Sequence, residues 1–477
     1  MNKKIVFYNI GKAMILEGIL LMLSLIVALM YNEPARPFVI AIIIAIALGG
    51  FLSVICKTDG KGLYIRDGFA IATLSWISLS LIGSLPFFIS GEIPSYVDSF
   101  FETMSGFTTT GASILTDVES MSKGMLFWRS STHWIGGMGV LVFILAIAEK
   151  NPNRSINILR AEMPGTKVDK FTPKAKNTAM VLYYIYMALT AVLVLFLLAG
   201  GMSPYDSVVH AMATAGTGGF AIHSDSIGSY SPYIQYVLSV AMIIFGINFS
   251  LYYLILLGKW KKSLQSSELH WFAVIVAIST LAITINILPR FNNVEESFRA
   301  AIFQVASIIS TTGFSSVDYN LWPQFSKSIL FILTIFGACE GSTSGGLKIS
   351  RVMLLFHSVK NEARRVIHPN IINSTIINGK PISKEGILGV NAYLALYIGV
   401  WLISFILIST DNASFETNLS AVTACISNVG PGFAGAGPFS SYANYSNFSK
   451  IVLSLTMLLG RLEIYPVLLG LVYRKSR

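Results

Sequence analysis

The most informative stretch of this sequence is Thr108-Thr109-Thr110-Gly111-Ala112-Ser113. It follows directly on residues 96–107, an apolar segment that is too short to cross a bilayer as a helix. Irregular backbone at membrane depth is tolerated only where protein buries it or where it lines water. The stretch therefore predicts a re-entrant loop, in which a short helix stops part-way through the membrane and a turn then lines a water-filled path.

The same pattern occurs three more times along the chain. Short apolar segments at residues 205–215, 296–308 and 415–425 are each followed by small residues that include glycine. Aligned on one glycine of each loop, the copies are 108, 94 and 117 residues apart. Four such copies predict pseudo-fourfold symmetry about one central axis. The aligned glycines are Gly111, Gly219, Gly313 and Gly430.

The composition is that of a membrane protein. Hydrophobic residues make up 53% of the 477 residues and charged residues only 12%, whereas soluble domains contain roughly 25% charged residues. Ten apolar runs, most of them long enough to cross about 30 Å of hydrocarbon, lie at residues 14–30, 38–55, 69–89, 127–148, 180–198, 233–257, 271–288, 329–356, 387–408 and 451–472. The sequence thus predicts an all-α polytopic membrane protein with four tandem helix–pore loop–helix repeats and two extra N-terminal transmembrane helices.

The apolar runs and the loops divide the chain into five parts. The N-terminal two-helix extension is predicted at residues 1–60, and the four repeats at residues 61–165, 166–262, 263–375 and 376–477. The repeats read as parallel rather than inverted, since each begins and ends on the same side of the membrane.

Basic residues predict the orientation. When the ten runs are threaded alternately through the bilayer, 26 of the 34 lysines and arginines fall on the side of the N-terminus and 7 on the other side. Cytoplasmic loops carry the excess of positive charge, so both termini are expected in the cytoplasm. Basic loops facing anionic lipid explain the net charge of +10 without a nucleic-acid partner.

Four converging loops of this kind favour a cation. A half-helix that stops inside the membrane places roughly half a negative charge at its C-terminus, and glycine permits the backbone angles that present carbonyl oxygens to an ion. Rings of such carbonyls replace the hydration shell in potassium filters. The alternative is that these loops are turns whose small residues only serve packing. The candidate ion-binding residues are Thr109, Thr110, Gly111, Thr217, Gly218, Gly219, Thr311, Thr312, Gly313, Asn428, Val429 and Gly430.

The loops, together with three further motifs, resemble the superfamily of Trk, Ktr and HKT potassium transporters, and in particular its TrkH-like membrane subunits. The motifs lie at residues 134–139, 341–348 and 460–463. The two extra N-terminal spans favour the Trk branch over the Ktr branch. The fourth loop departs from the others at Val429 and Pro431, and the family is similar in showing the same departure.

The resemblance implies potassium uptake across the bacterial cytoplasmic membrane by channel-like conduction. Glycine at all four filter positions is what the family associates with potassium rather than sodium. The resemblance also implies a homodimer that sits on a cytosolic ring of nucleotide-binding, RCK-type regulatory subunits, with the basic loops at residues 150–176 and 348–384 as the docking surface. No organic cofactor is expected in this chain; the ion held at the filter residues is K⁺.

A polar, glycine-rich stretch at residues 337–346 interrupts the eighth apolar run. Each glycine there weakens a helix by roughly 1 kcal/mol, so a broken helix is expected. The resemblance implies that the stretch is an intramembrane gate under the filter. The alternative is a small-residue face for helix packing. The candidate gate residues are Gly341, Ser342, Thr343, Ser344, Gly345 and Gly346.

Arg461 lies about halfway along the last apolar run. An arginine at that depth costs on the order of 2.5–3.5 kcal/mol on insertion scales, so it is expected to face the pore or a partner. One hypothesis is an electrostatic barrier in the conduction path beneath the filter, with Glu340 as a candidate partner. The alternative is a structural ion pair away from the pore.

Two other classes of function are less consistent with the sequence. A proton- or sodium-coupled potassium symporter usually shows inverted repeats and titratable groups at the midplane, whereas these repeats read as parallel and the central runs contain few acids. Coupling nevertheless stays open. An enzyme is not expected, because the sequence has no HExxH motif and its six histidines are scattered.

Overall fold

The structure, a computed structural model, describes residues 2–58, 65–139, 175–368, 376–377, 380–381 and 384–471. The helices of the extension and of the first two repeats are α1 (Lys3–Met30), α2 (Arg36–Ile55), α3 (Ile65–Gly83), α4 (Leu85–Ser90), α5 (Tyr96–Phe107), α6 (Lys123–Gly137), α7 (Ala175–Ala199), α8 (Pro204–Ala215), α9 (Pro232–Phe245), α10 (Phe249–Leu256) and α11 (Trp260–Leu264).

The third and fourth repeats contain α12 (Ser267–Ile287), α13 (Val294–Ile309), α14 (Gln324–Ile335), α15 (Ile349–Ile367), α16 (Lys384–Ile408), α17 (Phe415–Ile426), α18 (Asn447–Arg461) and α19 (Tyr465–Leu471). Two very short strands, β1 (Ile376–Ile377) and β2 (Lys380–Pro381), pair antiparallel. Short 3₁₀ helices lie at Leu288–Arg290, Tyr319–Leu321, Ser409–Asp411, Ala434–Ala436 and Tyr442–Asn444.

The four short half-helices predicted from the sequence are present as α5, α8, α13 and α17. Each begins after a serine or asparagine whose side chain accepts a hydrogen bond from the backbone N–H three residues later, which satisfies one of the free donors of the first turn. These caps are Ser95, Ser203, Asn293 and Ser414. Each first turn also contains an acidic residue, which the positive end of the helix dipole stabilises. Local chemistry thus defines where every half-helix starts.

Second helices of the repeats are shorter than their apolar runs predicted. The expected interruption lies between α14, which ends at Ile335, and α15, which begins at Ile349. The run at residues 233–257, however, bends by 90° between α9 and α10, and the last run is divided between α18 and α19. In the first repeat α6 ends at Gly137, and residues 140–148 of that run lie outside the described part.

Among the described residues, six helices are long and apolar enough to cross a membrane, and the bent α9–α10 pair would make a seventh span. Their outward-facing side chains are apolar. Phe51, Leu195 and Ile278 are examples, each more than half exposed. Such a surface is stable only against lipid, so the chain is a membrane protein.

The extension is a close-packed helix pair. Helices α1 and α2 approach at Gly11 and Gly49, where a Cβ atom built on Gly49 would lie only 2.6 Å from the carbonyl oxygen of Gly11 and 2.8 Å from the side chain of Ile15. The neighbouring Gly50 has open space instead, with no atom within 4 Å of a Cβ. Small residues at such a crossing allow backbones to pack without a hydrophobic driving force.

This contact predicts different effects for two adjacent substitutions. Gly49→Val should separate α1 from α2 and lower stability by about 1–3 kcal/mol, the usual cost of overpacking. Gly50→Val changes the helix propensity by the same amount as Gly49→Val, but it should be tolerated because the space beside Gly50 is open. Thermal denaturation of the purified variants in detergent measures both. Equal melting temperatures for the two variants would contradict the contact.

Candidate functional site

The loops that follow the half-helices share one backbone conformation. Thr109, Thr217, Thr311 and Asn428 have φ angles of 54°, 52°, 58° and 55°. Two residues later, Gly111, Gly219, Gly313 and Gly430 have φ angles of 79°, 77°, 84° and 92°. Left-handed backbone is unfavourable for residues with a side chain. Its recurrence at four aligned positions therefore shows that the four loops are structural copies.

These loops close into a ring. A Cβ atom built on any of the four glycines would clash with a backbone carbonyl oxygen of the next repeat. The glycine and oxygen pairs are Gly111 with Gly218, Gly219 with Thr312, Gly313 with Val429, and Gly430 with Thr110. The contacts run from repeat 1 to 2, 2 to 3, 3 to 4 and back to 1. All four predicted tripeptides thus meet around one axis.

The junction between the first and fourth loops carries an additional hydrogen bond. Asn428 Nδ2 donates to Thr110 Oγ1 at 2.9 Å and to the carbonyl oxygen of Met457 at 2.9 Å. Asn428 therefore ties the ring both to its own second helix and to the first repeat. Asparagine stands here where the other loops have threonine, and its amide NH₂ group can make both bonds because it has two donors, whereas a hydroxyl has one.

A cavity of about 200 Å³ adjoins the ring, and all four glycines line it. His223, Ser224 and Arg129 contribute to its wall. At its rim, Glu119 of the first repeat accepts hydrogen bonds from the backbone N–H of Ser224 at 2.7 Å and from its hydroxyl. Burial alone raises the pKa of Glu119, but these hydrogen bonds outweigh it and lower the pKa to about 2. The carboxylate stays ionised in ordinary media and joins the outer segments of repeats 1 and 2.

The interruption after α14 forms a closed loop. Gly337 N–H donates to Leu347 O at 2.9 Å, and Leu347 N–H donates to Ile335 O at 3.2 Å. These bonds hold the two ends of the loop side by side. The predicted gate residues 341–346 all lie on the segment between these two paired ends.

The tip of this loop contacts the ring on the side opposite the cavity. Gly345 N–H donates to Thr311 Oγ1 at 2.7 Å. A Cβ atom on Gly345 would lie 2.6 Å from Ser427 O and 2.7 Å from the Cβ atom of Asn428. Thr311 and Asn428 precede the ring glycines in the chain, whereas the glycines line the cavity. The loop therefore lies against the face of the ring that is opposite the cavity.

Arg461 joins the loop to the first repeat. Its guanidinium donates to the carbonyl oxygens of Thr343 at 2.6 Å, Gly136 at 2.7 Å and Gly137 at 3.0 Å. The described hydrogen bonds thus go to backbone carbonyls, whereas Glu340, the partner considered from the sequence, donates its N–H to Glu268 at 2.7 Å.

Charged side chains hold the C-terminal end of this loop in place. Lys348 is buried and its ammonium donates to Ser344 Oγ at 3.1 Å. Arg351 forms an ion pair with Glu463, which lies in the break between α18 and α19. The loop of the third repeat and the break of the fourth are therefore held together by charge.

A known protein family matches most of the chain. The profile of the TrkH family, described as a cation transport protein, matches residues 35–474. The chain belongs to the TrkH family. The resemblance and the all-α fold with four re-entrant loops, both predicted from the sequence, are confirmed.

Individual TrkH-family proteins are similar over nearly their whole length. The Trk system potassium uptake protein TrkH of Salmonella typhimurium is 32% identical, with 96% of each chain covered. TrkG of Escherichia coli, also a Trk system potassium uptake protein, is 31% identical over 98% of this chain and 97% of its own. The crystal structure of the potassium transporter TrkH from Vibrio parahaemolyticus superposes with a TM-score of 0.90 at 29% identity and covers 99% of both chains.

The sequence analysis did not identify one buried ion pair behind the first loop. Glu102 is fully buried and accepts a hydrogen bond from Arg129 Nε at 2.6 Å. It also accepts from Ser113 Oγ and Ile114 N–H, both at 2.9 Å. The only available signal was its position on the inner half of a half-helix. The pair anchors the segment that follows the first of the four loops.

Removal of one partner of a buried ion pair is costly because the other charge stays buried. Glu102→Ala should therefore lower the free energy of unfolding by about 3–5 kcal/mol. The matched control is Glu295→Ala, which removes an exposed carboxylate 3.0 Å from Arg299 and should change stability little. Thermal denaturation in detergent compares them. Similar shifts for both variants would contradict the structural role of Glu102.

Proposed function

We propose that this chain takes up potassium ions through the central ring by channel-like conduction, as the membrane subunit of a Trk-type system. The observation that carries the proposal is the closed ring of four glycines packed against the carbonyl oxygens of Thr110, Gly218, Thr312 and Val429. Its relatives named as Trk system potassium uptake proteins support the choice of ion.

The ring supplies oxygen atoms and no fixed cation. Four half-helix C-termini point at it, and each contributes roughly half a negative charge. Within the described part of the chain, the buried Thr109 Oγ1 and Asn428 Oδ1 have no hydrogen-bond partner. Buried oxygens are normally satisfied. Both lie at the inner end of the ring, where they are suited to a potassium ion or to its remaining water.

The proposed orientation places the cavity outside and the loop of residues 337–347 inside. The acidic half-helix N-termini then face the exterior, where they attract cations, and the basic loops face the cytoplasm. The proposed location is the bacterial cytoplasmic membrane, with both termini of the chain in the cytoplasm.

We further propose that the loop is the gate. It contacts Thr311 and Asn428 directly beneath the ring, so an ion that leaves the filter inward meets it first. A homodimer on a cytosolic RCK-type nucleotide-binding subunit would control this loop through α15, which continues from it toward the cytoplasm. Residues 150–174 and 369–375 of the proposed docking loops lie outside the described part.

Channel-like conduction and coupled symport predict different electrical behaviour. For a channel, the reversal potential in bilayers with opposed potassium and proton gradients follows the potassium gradient alone. A proton- or sodium-coupled symporter would shift it with the second gradient. The parallel repeats and the single continuous ring favour the channel.

Filter geometry is tested by substituting Gly219. Gly219→Ser would add a side chain that clashes with Thr312 O, so potassium uptake should fall by about tenfold or more, equivalent to about 1.4 kcal/mol or more. Gly91→Ser is the matched control, since Gly91 also has a left-handed φ of 81° but no atom within 4 Å of a Cβ. Uptake in a strain that lacks its own potassium transporters measures both. Normal uptake by a well-expressed Gly219→Ser variant would refute the filter.

Arg461 is tested with two substitutions that separate its charge from its hydrogen bonds. Arg461→Ala removes both, whereas Arg461→Lys keeps the charge but cannot bind three carbonyls in the fork geometry of a guanidinium. If Arg461 latches the loop, both variants should conduct several-fold more than wild type. If it is an electrostatic barrier, only Arg461→Ala should. Single-channel or flux measurements in proteoliposomes decide, and no rise in either variant would remove Arg461 from gating.

A further inference from the structure

One buried histidine bridges two filter loops. His133 lies on α6, one helical turn after Arg129, and is fully buried. Its Nδ1 is 2.8 Å from the carbonyl oxygen of Gly106, in the last turn of half-helix α5. Its Nε2 accepts a hydrogen bond from the backbone N–H of Phe220 at 3.2 Å. The imidazole thus connects the half-helix of repeat 1 to the residue directly after the ring glycine of repeat 2.

The two contacts define the protonation state of the ring. A backbone N–H is always a donor, so Nε2 has no proton where it meets Phe220. A carbonyl oxygen is always an acceptor, so the proton is on Nδ1 facing Gly106. His133 is therefore neutral and in one tautomer. An imidazolium would place a second N–H against that of Phe220.

Packing leaves the imidazole no freedom to reorient. A Cβ atom built on Gly218 would clash with the ring, and one on Gly216 would clash with the carbonyl oxygen of His133. The Phe220 ring lies 4.1 Å from the imidazole between ring centroids, and the guanidinium of Arg129 lies 3.6 Å from the Phe220 centroid. The second loop is thus held by two side chains of one helix.

The hydrogen bond to Phe220 orients the carbonyl that precedes it. A peptide unit is planar and trans, so its N–H and C=O point in opposite directions. With the Phe220 N–H held on His133, the carbonyl oxygen of Gly219 is directed away from α6, and Gly219 lines the cavity of the conduction path. If this peptide were turned so that its N–H faced the path instead, a cation would meet the positive end of the peptide dipole.

We propose that His133 is a positioning residue for ion discrimination. In its neutral Nδ1–H form it orients the Gly219–Phe220 peptide and sets the distance between the filter loops of repeats 1 and 2. The inference rests on the proposed function, because it concerns the same filter. Carbonyl oxygens replace the hydration shell of K⁺ in potassium filters, so loss of this orientation lowers preference for potassium over sodium.

The test compares three variants of the full-length protein in proteoliposomes, with the potassium-to-sodium permeability ratio taken from reversal potentials. His133→Leu removes both hydrogen bonds and should lower the ratio about tenfold, equivalent to about 1.4 kcal/mol. His133→Gln retains one donor and one acceptor and should restore most of the ratio. His210→Leu is the matched control, since His210 is also buried but its Nδ1 contacts Asp206 O within its own helix, and it should keep the wild-type ratio.

Each result has a defined meaning. A wild-type ratio in His133→Leu, an equal loss in His133→Gln, or an equal loss in His210→Leu would overturn the role of His133. If wild type itself does not prefer potassium, the proposed function fails instead.

A second measurement does not depend on the folding of His133→Leu. Nitrogen-15 spectra of histidine-labelled wild type report the tautomer, and the spectrum of His133→Gln assigns the signal. A neutral ring protonated on Nδ1 is expected. A ring protonated on Nε2, or on both nitrogens, would overturn the inference.

Discussion

The structure depends on how closely four stretches of backbone approach one another. At each junction of the ring a glycine lies against a carbonyl oxygen of the next repeat, where even a methyl group has no room. Such an approach is stable only if helices around it hold every loop in place, because the loops themselves contain unfavourable left-handed residues at Thr109, Thr217, Thr311 and Asn428. The half-helices, their caps and the buried ion pair behind the first loop all serve this one requirement.

The half-helices were predictable because their signals are local. A serine or asparagine cap, an acidic first turn, and a terminal run of mostly small residues that includes glycine define them within one or two residues. The breaks of the second helices were not, except at residues 337–346. Gly246 lies in an otherwise apolar run and reads as an ordinary membrane-helix glycine, and the motif at residues 460–463 does not by itself indicate a break. The end of α18 instead packs against the fourth half-helix, where a Cβ atom on Gly460 would clash with Ile426 O.

Charged residues were the least predictable part of the candidate site. Glu102 and Asp98 look alike in the sequence, yet Glu102 is buried against Arg129, whereas Asp98 is partly exposed and pairs with Lys450. Their difference arises from depth along one half-helix, which periodicity does not report. Arg461 was recognised as unusual for its position, but its contacts with three carbonyls come from the end of α6 in repeat 1 and from the loop of repeat 3, which only the fold brings together.

The bond between Asn428 and Thr110 joins positions 318 residues apart in the chain, and it has a consequence for biosynthesis. A ribosome that inserts the chain from its N-terminus completes three of the four sides before residue 430 has been made. The nascent protein therefore cannot close the ring of loops during most of its synthesis, and the ring forms only when the last repeat docks against the first.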